Sequence, residues 1–127
     1  MGRRSRRRAR DEPPEPSAPT TEYPDADGNV LVLRGSLPAR ARREYARTLA
    51  GEGRVAGGES AREDAWQRAI ELLFERLAVR WTIAGLPVDR QDELIGRYRM
   101  ATGEERAWVR DVLREHVAAN FPELQAP

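Results

Sequence analysis

The longest periodic segment of the chain covers residues 60–84 and reads SAREDAWQRAIELLFERLAVRWTIA. Its apolar residues recur at the spacing of one helix face: Trp66, Ile70, Leu73, Phe74, Leu77 and Trp81. Ser60 and Glu63 have the spacing of a capping box, and Gly85 and Pro87 are residues that stop helices. The pattern predicts one long helix over residues 60–84, which we expect to be the centre of the fold.

A second apolar stripe is expected on the same predicted helix. Leu72, Val79 and Ile83 lie about 120–150° from the centre of the first stripe and flank Arg76. A helix that is apolar over so much of its girth is usually covered on two sides. Either the helix is central in its own bundle, or the second stripe binds a partner. We therefore predict Leu72, Arg76, Val79 and Ile83 as partner-binding residues.

The composition bounds the class of protein. A chain of 127 residues with 34% charged and 6% aromatic residues is long enough for one small domain with a mostly aliphatic core. The absence of cysteine excludes disulfides and thiolate metal sites. No apolar run is long enough for a membrane span, so we expect no membrane partner. The single histidine, His116, has no second His or Cys to act with, which predicts a non-enzymatic protein without a cofactor.

The N-terminal residues 1–24 are predicted to be a disordered tail rich in arginine and proline. Six of the 22 basic residues and none of the 21 acidic residues fall in residues 1–10, so the other 117 residues carry 16 basic against 21 acidic residues. The six are Arg3, Arg4, Arg6, Arg7, Arg8 and Arg10. They form either a weak nucleic-acid attachment site or a solvated tail. No aromatic residue interleaves with them to stack on bases, which favours the solvated tail.

Residues 30–33, VLVL, are the one strand candidate. Its ladder partner is either a weak strand at residues 20–23 or a strand of another protein, so Val30 and Val32 are also predicted to bind a partner.

Three further helices are predicted around the central one. Ser36, Asp89 and Thr102 are the expected caps, and Thr102 forms a capping box with Glu105. A glycine-rich linker at residues 51–58 separates the first helix from the central one. The predicted fold class is mainly α: about four helices with one short β-strand in a single domain over residues 25–127, after the disordered tail.

Three segments of the chain resemble small proteins of actinobacterial tailed phages and prophages. They are LRGSL at residues 33–37, VRWTIAG at residues 79–85 and FPEL at residues 121–124. Within that group the chain is most similar to tail assembly chaperones. The resemblance implies a helix-rich, non-enzymatic protein of the host cytoplasm that binds the tape measure protein, keeps it soluble and helps the tail tube form.

The arginine-rich N-terminal tail is not a feature that such chaperones require. Two alternatives therefore stay open beside the chaperone. One is a structural tail or neck subunit that remains in the particle. The other is a nucleic-acid-binding protein that uses the arginine tail. A homo-oligomer is compatible with each of them.

Overall fold

A computed structural model describes residues 19–51 and 58–124. The strands are β1 (Thr20–Pro24), β2 (Val30–Arg34), β3 (Ala78–Ile83) and β4 (Leu86–Val88). The helices are α1 (Ala39–Leu49), α2 (Glu59–Leu77), α3 (Gln91–Arg99) and α4 (Gly103–Asn120). The prediction of a mainly α fold with a single strand is therefore wrong, because four strands form one sheet beside the four helices. Residues 1–18 of the predicted tail and residues 52–57 of the predicted linker lie outside the described residues.

The sheet is antiparallel, in the order β1-β2-β3-β4. Strand β2 is central, since Leu31 pairs with Tyr23 on one side and with Trp81 on the other. Its ladder partner is thus the weak strand considered at residues 20–23, and the tail predicted to reach residue 24 ends in an ordered edge strand. The two partners of β2 both come from this chain, so the expectation that another protein completes its ladder loses its basis.

The helices pack on one face of the sheet. Alternation along the strands directs Leu31, Leu33 and Trp81 into a core that also holds Phe74 of α2 and Val109 of α4. The other face presents the cross-strand row Glu22, Val32 and Arg80. The architecture is a two-layer α+β domain with its core between the helices and one sheet face.

The predicted helix over residues 60–84 is two elements. Helix α2 ends at Leu77, and Ala78 already has an extended backbone with ψ of 128°. The next residues, VRWTI, are rich in β-branched and aromatic side chains, which fit a pleated surface better than a helix. A two-residue turn follows, with positive φ at Ala84 (53°) and Gly85 (80°), as in a type I′ hairpin. The backbone N–H of Ala84 also donates to Oδ1 of Asn29, at 2.9 Å, which ties this turn to the turn before β2.

The predicted helix caps are only partly confirmed. Thr102 and Glu105 form the expected capping box at the start of α4. Ser60 does not cap α2, because that helix begins at Glu59 after Gly58 and has no side-chain cap bond. The expected caps Ser36 and Asp89 are likewise displaced, since Pro38 and Arg90 occupy the N-cap positions of α1 and α3.

No helix in residues 19–51 and 58–124 is long and apolar enough to cross a membrane.

Candidate partner-binding site

The residues predicted to bind a partner are spread over three places. Leu72 on α2 and Ile83 on β3 are partly buried and pack against the core. Val30 and Val32 lie on the sheet face away from the helices, where Val32 is buried. The helical stripe that was to unite four of these residues does not exist, because residues 79 and 83 belong to a strand. These four residues, Leu72, Ile83, Val30 and Val32, do not form one common surface. Their role in partner binding stays a prediction.

Arg76 and Val79, in contrast, lie together in a furrow beside α1 and α2. The furrow consists of two adjoining cavities of about 630 and 500 Å³ that share Pro38, Ala41 and Arg76. We call it the α1–α2 furrow. Its other lining residues are Arg34, Ser36, Arg40, Glu44, Arg47, Glu75, Ala78, Asp89, Gln91 and Leu94.

Both signs of charge line the furrow. The Arg76 guanidinium on α2 contacts the Glu44 carboxylate on α1 at 3.1 Å, and both side chains are exposed, at 44% and 42%. An ion pair in such contact with water contributes little, about 0–1 kcal/mol. The two side chains can therefore exchange this contact for contacts with a ligand at small cost.

Arg34 lines the furrow and also has one buried side-chain nitrogen without a hydrogen-bond partner. Its Nε is buried and has no hydrogen-bond partner, one of two such side-chain atoms in the described part of the chain; the other is Nε1 of Trp81. Buried polar groups without a partner are rare in folded proteins and cost about 1–3 kcal/mol each. Because this atom is shielded from water, a ligand in the furrow would contact other atoms of the Arg34 side chain.

His116 holds the backbone of Arg34 in place. The ring is fully buried, its Nε2 lies 2.8 Å from the Arg34 carbonyl oxygen and its Nδ1 lies 2.8 Å from the Tyr23 hydroxyl. Because the carbonyl only accepts, Nε2 donates to it and Nδ1 accepts from Tyr23. Burial lowers the pKa of His116, which favours this neutral form. His116 thus links α4 to the two strands β1 and β2, a role that the sequence did not indicate.

A second concave site surrounds Trp66, which sequence analysis assigned to the core face of the central helix. The side chain is instead 49% exposed. It lines a cleft of about 310 Å³ between α2 and α4, together with Glu63, Gln67, Ile70, Arg110 and Arg114. We call this the Trp66 cleft. The i, i+4 spacing could not reveal this exposure, because the buried side of α2 at this level is formed by Ala65 and Ala69, which are 2% and 0% exposed.

Neither site contains the cluster of ligating side chains that a metal centre needs. Within the described ranges, no group of three or more His, Asp or Glu side chains is placed to hold a metal ion. The six arginines of the predicted nucleic-acid tail, at positions 3, 4, 6, 7, 8 and 10, lie outside the described residues.

No protein-family model, curated protein or solved structure matches this chain.

Proposed function

We propose that this protein is a non-enzymatic assembly protein of the phage-tail type, which binds an extended segment of an elongated protein partner in the α1–α2 furrow. The lining of the furrow carries the proposal: it combines apolar side chains, charges of both signs and the exposed Arg76–Glu44 pair. A polypeptide is a suitable ligand because its backbone carbonyls and carboxylate side chains accept hydrogen bonds from arginine, and its basic side chains pair with carboxylates. In the setting that the sequence resemblance implies, the partner is a tape measure protein.

The chemistry of the furrow supports a polypeptide in other ways. Ala41, Val79 and Leu94 give it apolar wall, while Gln91 and Ser36 offer uncharged polar groups. Four arginines and three carboxylates line it, which suits a segment with charges of both signs better than a ligand of one sign. The exposed Arg76–Glu44 contact can open toward either charge of the partner.

The test is co-expression of this chain with the product of a long, tape-measure-like reading frame downstream of its gene, with the soluble fraction of that product as the readout. We expect the unmutated chain to raise the soluble fraction. Arg34→Met keeps the aliphatic stem and the Arg34 carbonyl but removes the guanidinium, and Arg76→Glu reverses a charge in the furrow. Each should reduce the soluble fraction and the amount of partner that co-purifies.

Arg43→Glu is the matched control, because Arg43 is an exposed arginine of α1 that does not line the furrow. Circular dichroism of each variant checks that the fold is retained. A partner that is equally soluble with the unmutated chain, with both furrow variants and without any chain would refute the proposed function. Solubilisation that survives both furrow variants would instead move the binding site elsewhere.

A further inference from the structure

The Trp66 cleft combines two apolar side chains, Trp66 and Ile70, with four polar or charged ones. Its floor is Ile70, which is only 4% exposed, and Trp66 stands at its wall with half of its surface in water. The other large apolar side chains exposed in the described residues are Leu86 and Met100, and neither lines this cleft. A tryptophan beside a concave surface is the residue type that contributes most binding energy in protein interfaces.

The charge of the cleft is set by two arginines of α4. Arg110 and Arg114 are four residues apart, so they lie on the same helix face one turn from each other. Arg114 contacts Asp111 at 3.1 Å. Arg110 is exposed and makes no hydrogen bond or ion pair within residues 19–51 and 58–124. The unpaired Arg110 and the exposed Trp66 therefore line the same cleft, with Glu63 as its one acidic residue.

We propose that the Trp66 cleft binds a short acidic peptide segment that contains proline. A proline ring packs flat on an aromatic face and keeps the segment extended at little entropic cost. A carboxylate beside that proline pairs with Arg110, and the aliphatic stem of Arg114 covers the apolar part of the ligand. Charge complementarity selects an acidic segment over a basic one. The site is separate from the α1–α2 furrow, with which it shares no lining residue.

The chain's own sequence contains a segment of this composition, DEPPEP at residues 11–16. Its peptide is therefore the probe: a fluorescently labelled DEPPEPSAP peptide titrated with the full chain and followed by fluorescence anisotropy. To avoid competition in the same chain, the titration uses a full-length variant in which Asp11, Glu12 and Glu15 are replaced by Asn, Gln and Gln. We expect saturable binding that weakens as salt is added.

Two cleft variants and two altered peptides test the assignment. Trp66→Ala and Arg110→Glu should each weaken binding at least about tenfold, the size of effect expected for a central contact. The neutral peptide NQPPQPSAP and the proline-free peptide DEAAEASAA should each bind similarly weakly. Leu86→Ala removes an exposed apolar side chain outside the cleft and should leave affinity unchanged.

Absence of saturable binding, or equal affinity for the neutral peptide, would overturn the proposal, as would undiminished binding by Trp66→Ala. Arg76→Glu separates this site from the furrow. It should leave peptide affinity unchanged while it reduces partner solubilisation, so either proposal can fail without the other.

Discussion

At the scale of single residues, His116 connects the core to the candidate site. Its ring is fully buried, donates to the Arg34 carbonyl and accepts from Tyr23, so protonation of Nδ1 would put a proton where the Tyr23 hydroxyl already donates. Burial is the main cause of its lowered pKa, and the Arg34 carbonyl and the nearby Glu115 oppose the shift. The neutral ring is thus part of what holds β1 and β2 against α4.

A pH dependence follows from that shift. Because the pKa of His116 is lower in the folded than in the unfolded protein, the unfolded chain binds more protons between the two values. The stabilisation is present above pH about 6.5 and is lost as the pH falls through that value toward the folded pKa. Urea titrations between pH 7.5 and 5.5 should show the free energy of unfolding decrease. In His116→Gln, which cannot titrate, the slope over this window should be flatter; an unchanged slope would contradict the assignment.

The carboxylates with a lowered pKa do not contribute to the pH dependence expected between pH 7.5 and 5.5. Asp25 accepts hydrogen bonds from residues of its own turn, and Glu105 pairs with Arg97 and caps α4, so both contribute stability that is lost only in more acidic solution. Their ordinary pKa values are 3.8 and 4.5, below the pH range of the titration.

Two leucines of α2 test where the core lies. Leu73 and Leu77 are 1% and 0% exposed, so replacement of either by alanine removes apolar contacts and leaves a cavity. We expect each to lower the free energy of unfolding by about 2–5 kcal/mol in urea denaturation. Leu86→Ala is the matched control: the same substitution at a 71% exposed position should stay within about 0.5 kcal/mol. A loss below about 1 kcal/mol at both α2 positions would place the core elsewhere.

At the scale of elements, the boundary between α2 and β3 is the feature that the periodicity could not reveal. Trp81 is four residues after Leu77, which continues the helix stripe, and it also alternates with Ile83 as in a strand. Two apolar periods therefore fit the same residues, and the length of the segment favours the helix. The β-branched run before an Ala-Gly dipeptide is the local signal of a hairpin. Only the pairing with β2, about fifty residues earlier in the chain, decides between the two.

The hairpin turn itself can be improved. Ala84 has a φ of 53°, a left-handed conformation that costs a β-carbon-bearing residue energy and that asparagine tolerates better. Ala84→Asn should raise the free energy of unfolding by about 0.5–1 kcal/mol. Gly85 has a φ of 80°, and a β-carbon at this position would meet no atom within 4 Å, so Gly85→Ala should lower stability through backbone strain alone, by about 1 kcal/mol. Thermal melts of both variants check this, and shifts of the same sign would contradict the turn geometry.

Some residues of the candidate site could be predicted from the local sequence, and others could not. Arg76 and Val79 were predicted as partner-binding residues from a helical stripe, and they do line one furrow, although from a helix and a strand. Arg34 was not predicted. It is the last residue of β2, and it lines the furrow together with residues of α1, α2 and α3 that are distant in the chain. The residues next to Arg34 in the sequence contain no pattern that would predict its place in the furrow.

At the scale of the whole molecule, contacts between residues distant in the chain fix the position of the first strand. Strand β1, TTEYP, is short and mostly exposed, so its sequence resembles the polar tail before it. Its position is fixed by long-range contacts: the ladder with β2 and the hydrogen bond from Tyr23 to His116, 93 residues away. Sequence patterns report such contacts poorly because the contacting residues are distant in the chain. Strand β1 therefore lies within residues 1–24, the segment that the sequence predicted as the tail.

Truncation tests where the domain begins. Deletion of residues 2–18 removes no described element and a segment without apolar periodicity, so the melting temperature should change by no more than a few degrees. Deletion of residues 2–24 also removes β1, which uncovers one edge of β2 and leaves Nδ1 of the buried His116 without the Tyr23 hydroxyl. Since about 1 kcal/mol corresponds to roughly 4–8 °C in a domain of this size, we expect the longer deletion to lower the melting temperature by more than about 10 °C.

Tyr23→Phe separates the two contributions of β1. It keeps the strand and the ring but removes the hydroxyl that donates to Nδ1 of His116, which still lies 3.3 Å from Nδ2 of Asn120. Its cost should therefore be about 0.5–1.5 kcal/mol and lie between those of the two deletions. The order of melting temperatures should thus be the shorter deletion, Tyr23→Phe and the longer deletion, from highest to lowest. Equal melting temperatures for the two deletions would mean that β1 contributes nothing to the fold. A Tyr23→Phe variant as stable as the unmutated chain would confine the contribution of β1 to its backbone ladder, because the buried histidine would then hold its place without the hydroxyl.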